Sequence, residues 1–189
     1  QRRVNNNLYT ENLFMLKQKF IAYAGMAALI ILIGQSNSFA FGGNVKKQVS
    51  FTVRVENVAN KDGLTAADGT KYPFALSPGF YAATEGKLDL FKLGTKASGA
   101  IEALAEDGDP DLLSKLAFSK QAVGSFGIVN KPVGADMPSP ILPGGSFQFS
   151  FTAKKGVMFN FIAMFGQSND LFYAPAKAIA LFDDKGNPL

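Results

Sequence analysis

The chain has 189 residues, 47% hydrophobic and 18% charged, with 18 Phe and no Trp, His or Cys, a composition that suits one globular domain or two small ones. Without His there is no Ser-His-Asp triad and no histidine-ligated zinc; without Cys there is no thiol nucleophile, disulfide, zinc ribbon or iron–sulfur cluster, so any metal must be held by oxygen. The formal net charge is +4, but Arg2, Arg3, Lys17 and Lys19 precede residue 41 against the single acid Glu11, so the remainder is nearly neutral and offers no basic face for nucleic acid.

Residues 1–14 show no periodic pattern and read as an extension upstream of Met15, which reads as the start of translation. From Met15 the chain has two lysines, an apolar stretch from Phe20 to Ile33, and small or polar residues ending Ser38-Phe39-Ala40. That layout is a secretory signal peptide over 15–40 with cleavage after Ala40, engaging the membrane only during export. The apolar middle is shorter than the roughly 20 residues that span a bilayer; an uncleaved membrane anchor is the alternative. The expected mature domain is 41–189.

Val49, Phe51, Val53 and Val55 alternate with Ser50, Thr52, Arg54 and Glu56, the period of a half-buried strand. Asn57 to Thr70 carries Asp62-Gly63 and Asp68-Gly69, both turn signals, so the two acids serve turns more readily than calcium. Lys71 to Ala83 holds two apolar pieces split by Ser77-Pro78-Gly79, and its prolines place those pieces at a sheet edge or beside a break. Leu88 to Leu93 alternates as a short strand. Ser98 caps a predicted helix carrying Ile101, Leu104 and Ala105 and stopped by Asp107-Gly108; Asp109 caps a second, with Pro110 first and Leu112, Leu113 and Leu116 on one face. These are the one or two short helices expected between residues 97 and 117.

Glu102, Glu106, Asp107, Asp109 and Asp111 make this the most acidic stretch. A solvated face with capping acids accounts for them, and a catalytic carboxylate pair is the alternative. Gly124 to Asn130 reads as a strand, and Lys131 to Gly145, with four prolines and three glycines, as an extended loop suited to binding. Phe147, Phe149 and Phe151 alternate with polar residues, and the turn Lys154-Lys155-Gly156 leads into Val157 to Phe165; the two strands are expected to pair as a hairpin. Val157 to Phe165 is apolar enough to be buried on both faces. It ends on Ser168, Asn169 and Asp170, which place oxygen-bearing side chains at the strand's mouth and make that mouth, with Phe172 and Tyr173, the candidate binding loop. Ala178 to Phe182 reads as a last strand. The expected fold is an all-β antiparallel sandwich with an aromatic core.

Three stretches together resemble the spondin domain, a secreted β-sandwich module: SFTVRVEN (50–57), LFKLGTKASGAIEALAEDGD (90–109) and FIAMFGQSNDLFYAP (161–175). The second carries the family's helix end Ala-Glu-x-Gly as Ala105, Glu106, Asp107 and Gly108. The third is similar to its Met-x-x-Pro-Ser-x-Asp-aromatic segment, here Met164, Gly166 or Gln167 in place of Pro, Ser168, Asn169, Asp170, Leu171 and Phe172. The resemblance implies a two-sheet sandwich similar to calcium- and lipid-binding domains, calcium at one end, and protein or cell-surface and matrix glycan partners. Asp170 falls on the family's loop Asp and Glu106 on its helix-end Glu, with Asn169 beside them as a further oxygen. Where the family has more Asp after the aromatic, this chain has Ala176, Lys177 and Ala178, leaving few of the six to eight oxygens calcium takes. The expectation is a secreted or periplasmic, non-enzymatic binding or adhesion module. An oxygen-ligand metal or carboxylate hydrolase acting on glycans or phosphoesters through Glu106, Asp107 and Asp170 is the alternative from a different class.

Overall fold

A computed structural model describes residues 28–35, 48–86, 88–166 and 168–189. The extension 1–14, most of the segment read as a signal peptide, and Gln167 lie outside the described residues. The remaining part of that segment, Ala28–Gln35 (β1), is extended and pairs antiparallel with Val49–Asn57 (β2).

Hydrophobic periodicity accounts for the two sheets. β2 alternates buried and half-buried positions along its whole length; in Ser146–Ala153 (β7) the inward Phe147, Phe149, Phe151 and Ala153 alternate with exposed Gln148, Ser150 and Thr152, and the strand pairs antiparallel with β2 from Val49↔Ala153 to Glu56↔Ser146. The first sheet therefore has the order β1-β2-β7. Leu76–Glu85 (β5), Gly124–Val129 (β6), Val157–Phe165 (β8), Phe172–Tyr173 (β9) and Ile179–Ala180 (β10) form the second. There β8 lies beside β5 on one side, while β9 and β10 share its other edge at Ala163–Met164 and Met158–Phe159. Leu64–Thr65 (β3) and Lys71–Tyr72 (β4) pair as a separate ribbon in the loop after β2. All pairings are antiparallel, and the described residues form an all-β sandwich.

Between the sheets lies an aromatic core. Phe151 stacks on Phe159 across the gap with ring centroids 5.6 Å apart and planes 8° from parallel, and Phe149 stacks on Phe161 at 6.5 Å. Tyr81 from β5 closes on Phe149 at 4.5 Å. Each fully buried ring contributes about 1.5–3 kcal/mol through the water it leaves behind. This arrangement corrects the expected β7–β8 hairpin. As sheet neighbours the two phenylalanine rows would share one face; in opposite sheets they cover each other, so Lys154-Lys155-Gly156 carries the chain across the sandwich.

Strand β8 is central, and its parity splits between two cores. Val157, Phe159, Phe161 and Ala163 face the sandwich interior, whereas Ile162 faces outward into a second cluster with Phe80, Ala82, Ile101, Leu104, Leu113 and Ala117. Helices Gly99–Asp107 (α1) and Asp111–Ser119 (α2) thus form a third layer over the second sheet. The Ser98 hydroxyl accepts from Ile101 N at 3.4 Å, and Gly108 ends α1 in the left-handed conformation, as the sequence indicates. Asp109 Oδ1 accepts from Asp111 N at 2.8 Å. On α2 the inward residues are Leu113 and Ala117, with Leu112 exposed, which corrects the predicted face.

Two further expectations are corrected. Leu88 to Leu93 is not a strand; Leu88 and Leu90 are buried as anchors of an irregular segment against the helices. The segment after Lys71 is not marginal either, since β5 is ten residues long and pairs with β6 on one side and β8 on the other. A bulge between Leu76 and Gly79 absorbs Pro78, which is how a central strand tolerates a residue with no N–H to donate. The extra residue also flips the parity, so that Leu76 shares the inter-sheet core with Tyr81 and Ala83.

Candidate functional site

The strand directions bring three connections to one end of the sandwich: 58–75 after β2, 130–145 between β6 and β7, and 166–171 between β8 and β9. Asn57 ties the first two together. It occupies the next inward position after Val49, Phe51, Val53 and Val55 and is 5% exposed. Its Nδ2 donates to Phe74 O at 2.9 Å and Ile141 O at 3.0 Å, and its Oδ1 accepts from Ala59 N at 3.1 Å. Its backbone N donates to Gly145 O at 3.0 Å and its carbonyl accepts from Gly144 N at 2.7 Å. A single buried amide thereby satisfies backbone groups that would otherwise be stranded.

The third connection is built on Ser168. Phe165 O accepts from both Ser168 N at 3.1 Å and Ser168 Oγ at 2.8 Å, and Ser168 Oγ accepts in turn from Leu171 N at 3.1 Å. Ser77 Oγ accepts from Met164 N at 2.9 Å. Gly166 N donates to Ala75 O at 2.8 Å, and a Cβ on Gly166 would stand 2.8 Å from that of Ala75. Glycine lets the strand end close against its neighbour.

Of the expected binding residues, Ser168 is engaged in this internal bonding. Phe172 and Tyr173 are half-buried, Phe172 edge-on to Phe91 at 5.2 Å and Tyr173 edge-on to Phe165 at 5.9 Å, so they anchor the loop in the two cores. Asn169 and Asp170 are exposed at its tip, next to Leu171. Glu106 is exposed in the last turn of α1, and the following Gly108 abuts this end: a Cβ there would lie 3.1 Å from Ser77 Cβ and 3.3 Å from Met164 Sδ. Among the described residues no three acidic side chains converge to hold a metal ion. A calcium site on Asp170, Asn169 and Glu106 would therefore draw most of its oxygens from backbone and water. Asp62 and Asp68 serve turns, Asp62 pairing with Lys71 Nζ at 2.8 Å and Asp68 Oδ1 accepting from Thr70 N at 2.9 Å. The bonds from Thr70 hold the Asp68 carboxyl below its ordinary pKa.

What sequence reasoning missed is apolar. Val58, Leu64 and Tyr72 in the first connection, Val133, Met137 and Leu142 in the second, and Leu171 in the third are all large and exposed, Met137 to 73%. Scattered exposed apolar residues are ordinary, and Leu93, Leu112, Phe118, Val123 and Leu189 are exposed elsewhere; these seven share the loops of one end. The available signal was Met137-Pro138 and Leu142-Pro143 in a stretch where turn chemistry needs no apolar residue. By contrast, a shallow cavity of about 510 Å³ beside α2 is lined by Phe118, Ser119, Gln121, Ala122 and Phe126. Its hydroxyl is spent on Leu116 O at 2.8 Å, and its lining has no acid or base. No family model and no curated protein matches the chain.

Proposed function

We propose that this chain is a secreted or periplasmic, non-enzymatic binding module of the spondin type, which contacts a protein or a cell-surface or matrix glycan through the loop end of its sandwich. The observation that carries the reading is the set of exposed apolar side chains on three loops that leave one end, two of them fastened to the scaffold by buried Asn57. Such loops present contact area while the rigid sheets hold their positions. Asp170 and Asn169 supply polar contacts at the rim, and Leu171 beside them supplies an apolar one. Calcium, if bound, completes the same rim through Asp170, Asn169 and Glu106.

Export and thermal melts test this. The protein is expected outside the cytoplasm and without hydrolytic turnover. Millimolar calcium should raise its Tm over the chelated sample only if the rim binds the ion, because a ligand of the folded state alone must stabilise it. Cytoplasmic retention, or glycosidase or phosphoesterase turnover lost on Asp170→Ala, would replace this reading with the carboxylate hydrolase.

A further inference from the structure

Strand β2 has an outer edge that the folded chain keeps covered. Opposite its β7 partner, all eight residues of β1 pair with it, from Ala28↔Asn57 to Gln35↔Ser50. β1 lies wholly within the segment whose pattern is that of a signal peptide cleaved after Ala40. If export removes that segment, as its signal-peptide pattern implies, the edge of β2 is vacated. Exposed edges are normally guarded by Lys, Pro, a bulge or brevity. β2 has no Lys, Pro, bulge or brevity, being nine residues in unbroken register with β7, and its two charged residues, Arg54 and Glu56, are paired with each other.

We propose that the processed protein is a homodimer in which the vacated β2 edge pairs antiparallel with the β2 edge of a second copy, joining the two first sheets into one. This rests on the secretion reading above. The strand's own sequence argues for a second copy as occupant. With the twofold axis at Val53, Val49 faces Asn57 of the second copy, Phe51 faces Val55, and every inward residue meets an inward residue, so the core faces of both sheets stay continuous. On the outer row Ser50 meets Glu56 and Thr52 meets Arg54, so no like charges oppose one another along the nine residues. Arg54 and Glu56 already neutralise each other at 3.5 Å, so the outer row joins without stranding a charge.

The test is to export the full sequence, define the N-terminus of the product by intact mass, and measure its association by sedimentation at micromolar concentration. The expected product begins after Ala40 and is a dimer. Thr52→Arg, which sets like charges against each other twice per dimer, should weaken the dimer about tenfold. Ser50→Arg, which meets Glu56, should not weaken it, and adding Arg54→Thr to Thr52→Arg should restore it. Thermal melts of each variant show that the monomer fold persists. A processed monomer, or a dimer indifferent to Thr52→Arg, overturns the proposal and leaves secretion standing. A product that retains residues 28–35 also overturns the proposal, since β2 then keeps its own partner, whereas recovery of the protein in the cytoplasm is the result that overturns secretion.

Discussion

Replacing Asn57 with Ala removes three side-chain hydrogen bonds from the junction of the 58–75 and 130–145 loops. Their costs are unequal. Ile141 O also accepts from Leu76 N at 2.9 Å, so it keeps one partner, and Ala59 is only partly buried, so water can replace its acceptor. Phe74, at 7% exposure, loses the donor to its carbonyl with little access to solvent, a loss of about 1–3 kcal/mol, to which the two milder losses add about 0.5 kcal/mol each. The expected total is about 2–4 kcal/mol, a large share of the stability of a domain of this size. Urea unfolding should show a lower midpoint with unchanged slope, and limited proteolysis should cut first within 58–75 or 130–145. Asn57→Asp should be worse than Ala at neutral pH, because a carboxylate would then face two carbonyl oxygens, and should recover in part on acidification. A cost below about 1 kcal/mol for Asn57→Ala would refute the argument that this amide holds the loop end together.

Phe151→Ala should cost about 3–5 kcal/mol in the same unfolding assay, since the ring is 6% exposed and stacked on Phe51 and Phe159. Gly108→Ala should lower stability by about 1–2 kcal/mol, because the residue sits at φ +69° and its new Cβ would press on Ser77; a neutral result would mean that the α1 end is not held against the sheet. Burial between the phenylalanines raises the Tyr81 pKa. Its contribution should be intact below the ordinary tyrosine value near 10 and lost as pH rises through the folded value, which absorbance titration at alkaline pH will follow. At the other extreme, bonds from the Asn187 side chain and backbone hold the Asp183 carboxyl below its ordinary range. The stability it lends is present above the unfolded carboxyl value and disappears as pH falls through the folded one, an effect absent in Asp183→Asn by NMR titration of the 183–187 turn.

The strands with clean alternation were legible because one face of each is buried: β2 and β7 stand where Val49 to Val55 and Phe147 to Phe151 place them. The helix ends were legible because Ser98 and Gly108 act through local backbone chemistry. Pairing was not legible in the same way. The period of two says which residues face the core but not which strand lies alongside, so the β7–β8 hairpin expected from adjacency gave way to a crossing that sets Phe151 over Phe159. Pro78 suggested an edge, and a bulge made it compatible with the centre. Of the site, the Asn169–Asp170 tip was visible as a polar break after an apolar strand. The role of Asn57 was only half visible: it interrupts the inward row, but its partners Phe74 and Ile141 lie 17 and 84 residues away. Phe172 and Tyr173 are half-buried and pack on Phe91 and Phe165, a place in the cores that their sequence pattern did not signal because aromatic side chains serve cores and interfaces alike.

The claim that the loop end is the binding surface is tested most directly by solid-phase binding to a panel of matrix proteins and glycans, comparing Asp170→Ala and Met137→Ser with Phe118→Ser, whose side chain is 79% exposed beside α2. Asp170→Ala and Met137→Ser should each weaken capture about tenfold or more, while Phe118→Ser should leave it unchanged. Loss of capture with Phe118→Ser alone would contradict that claim.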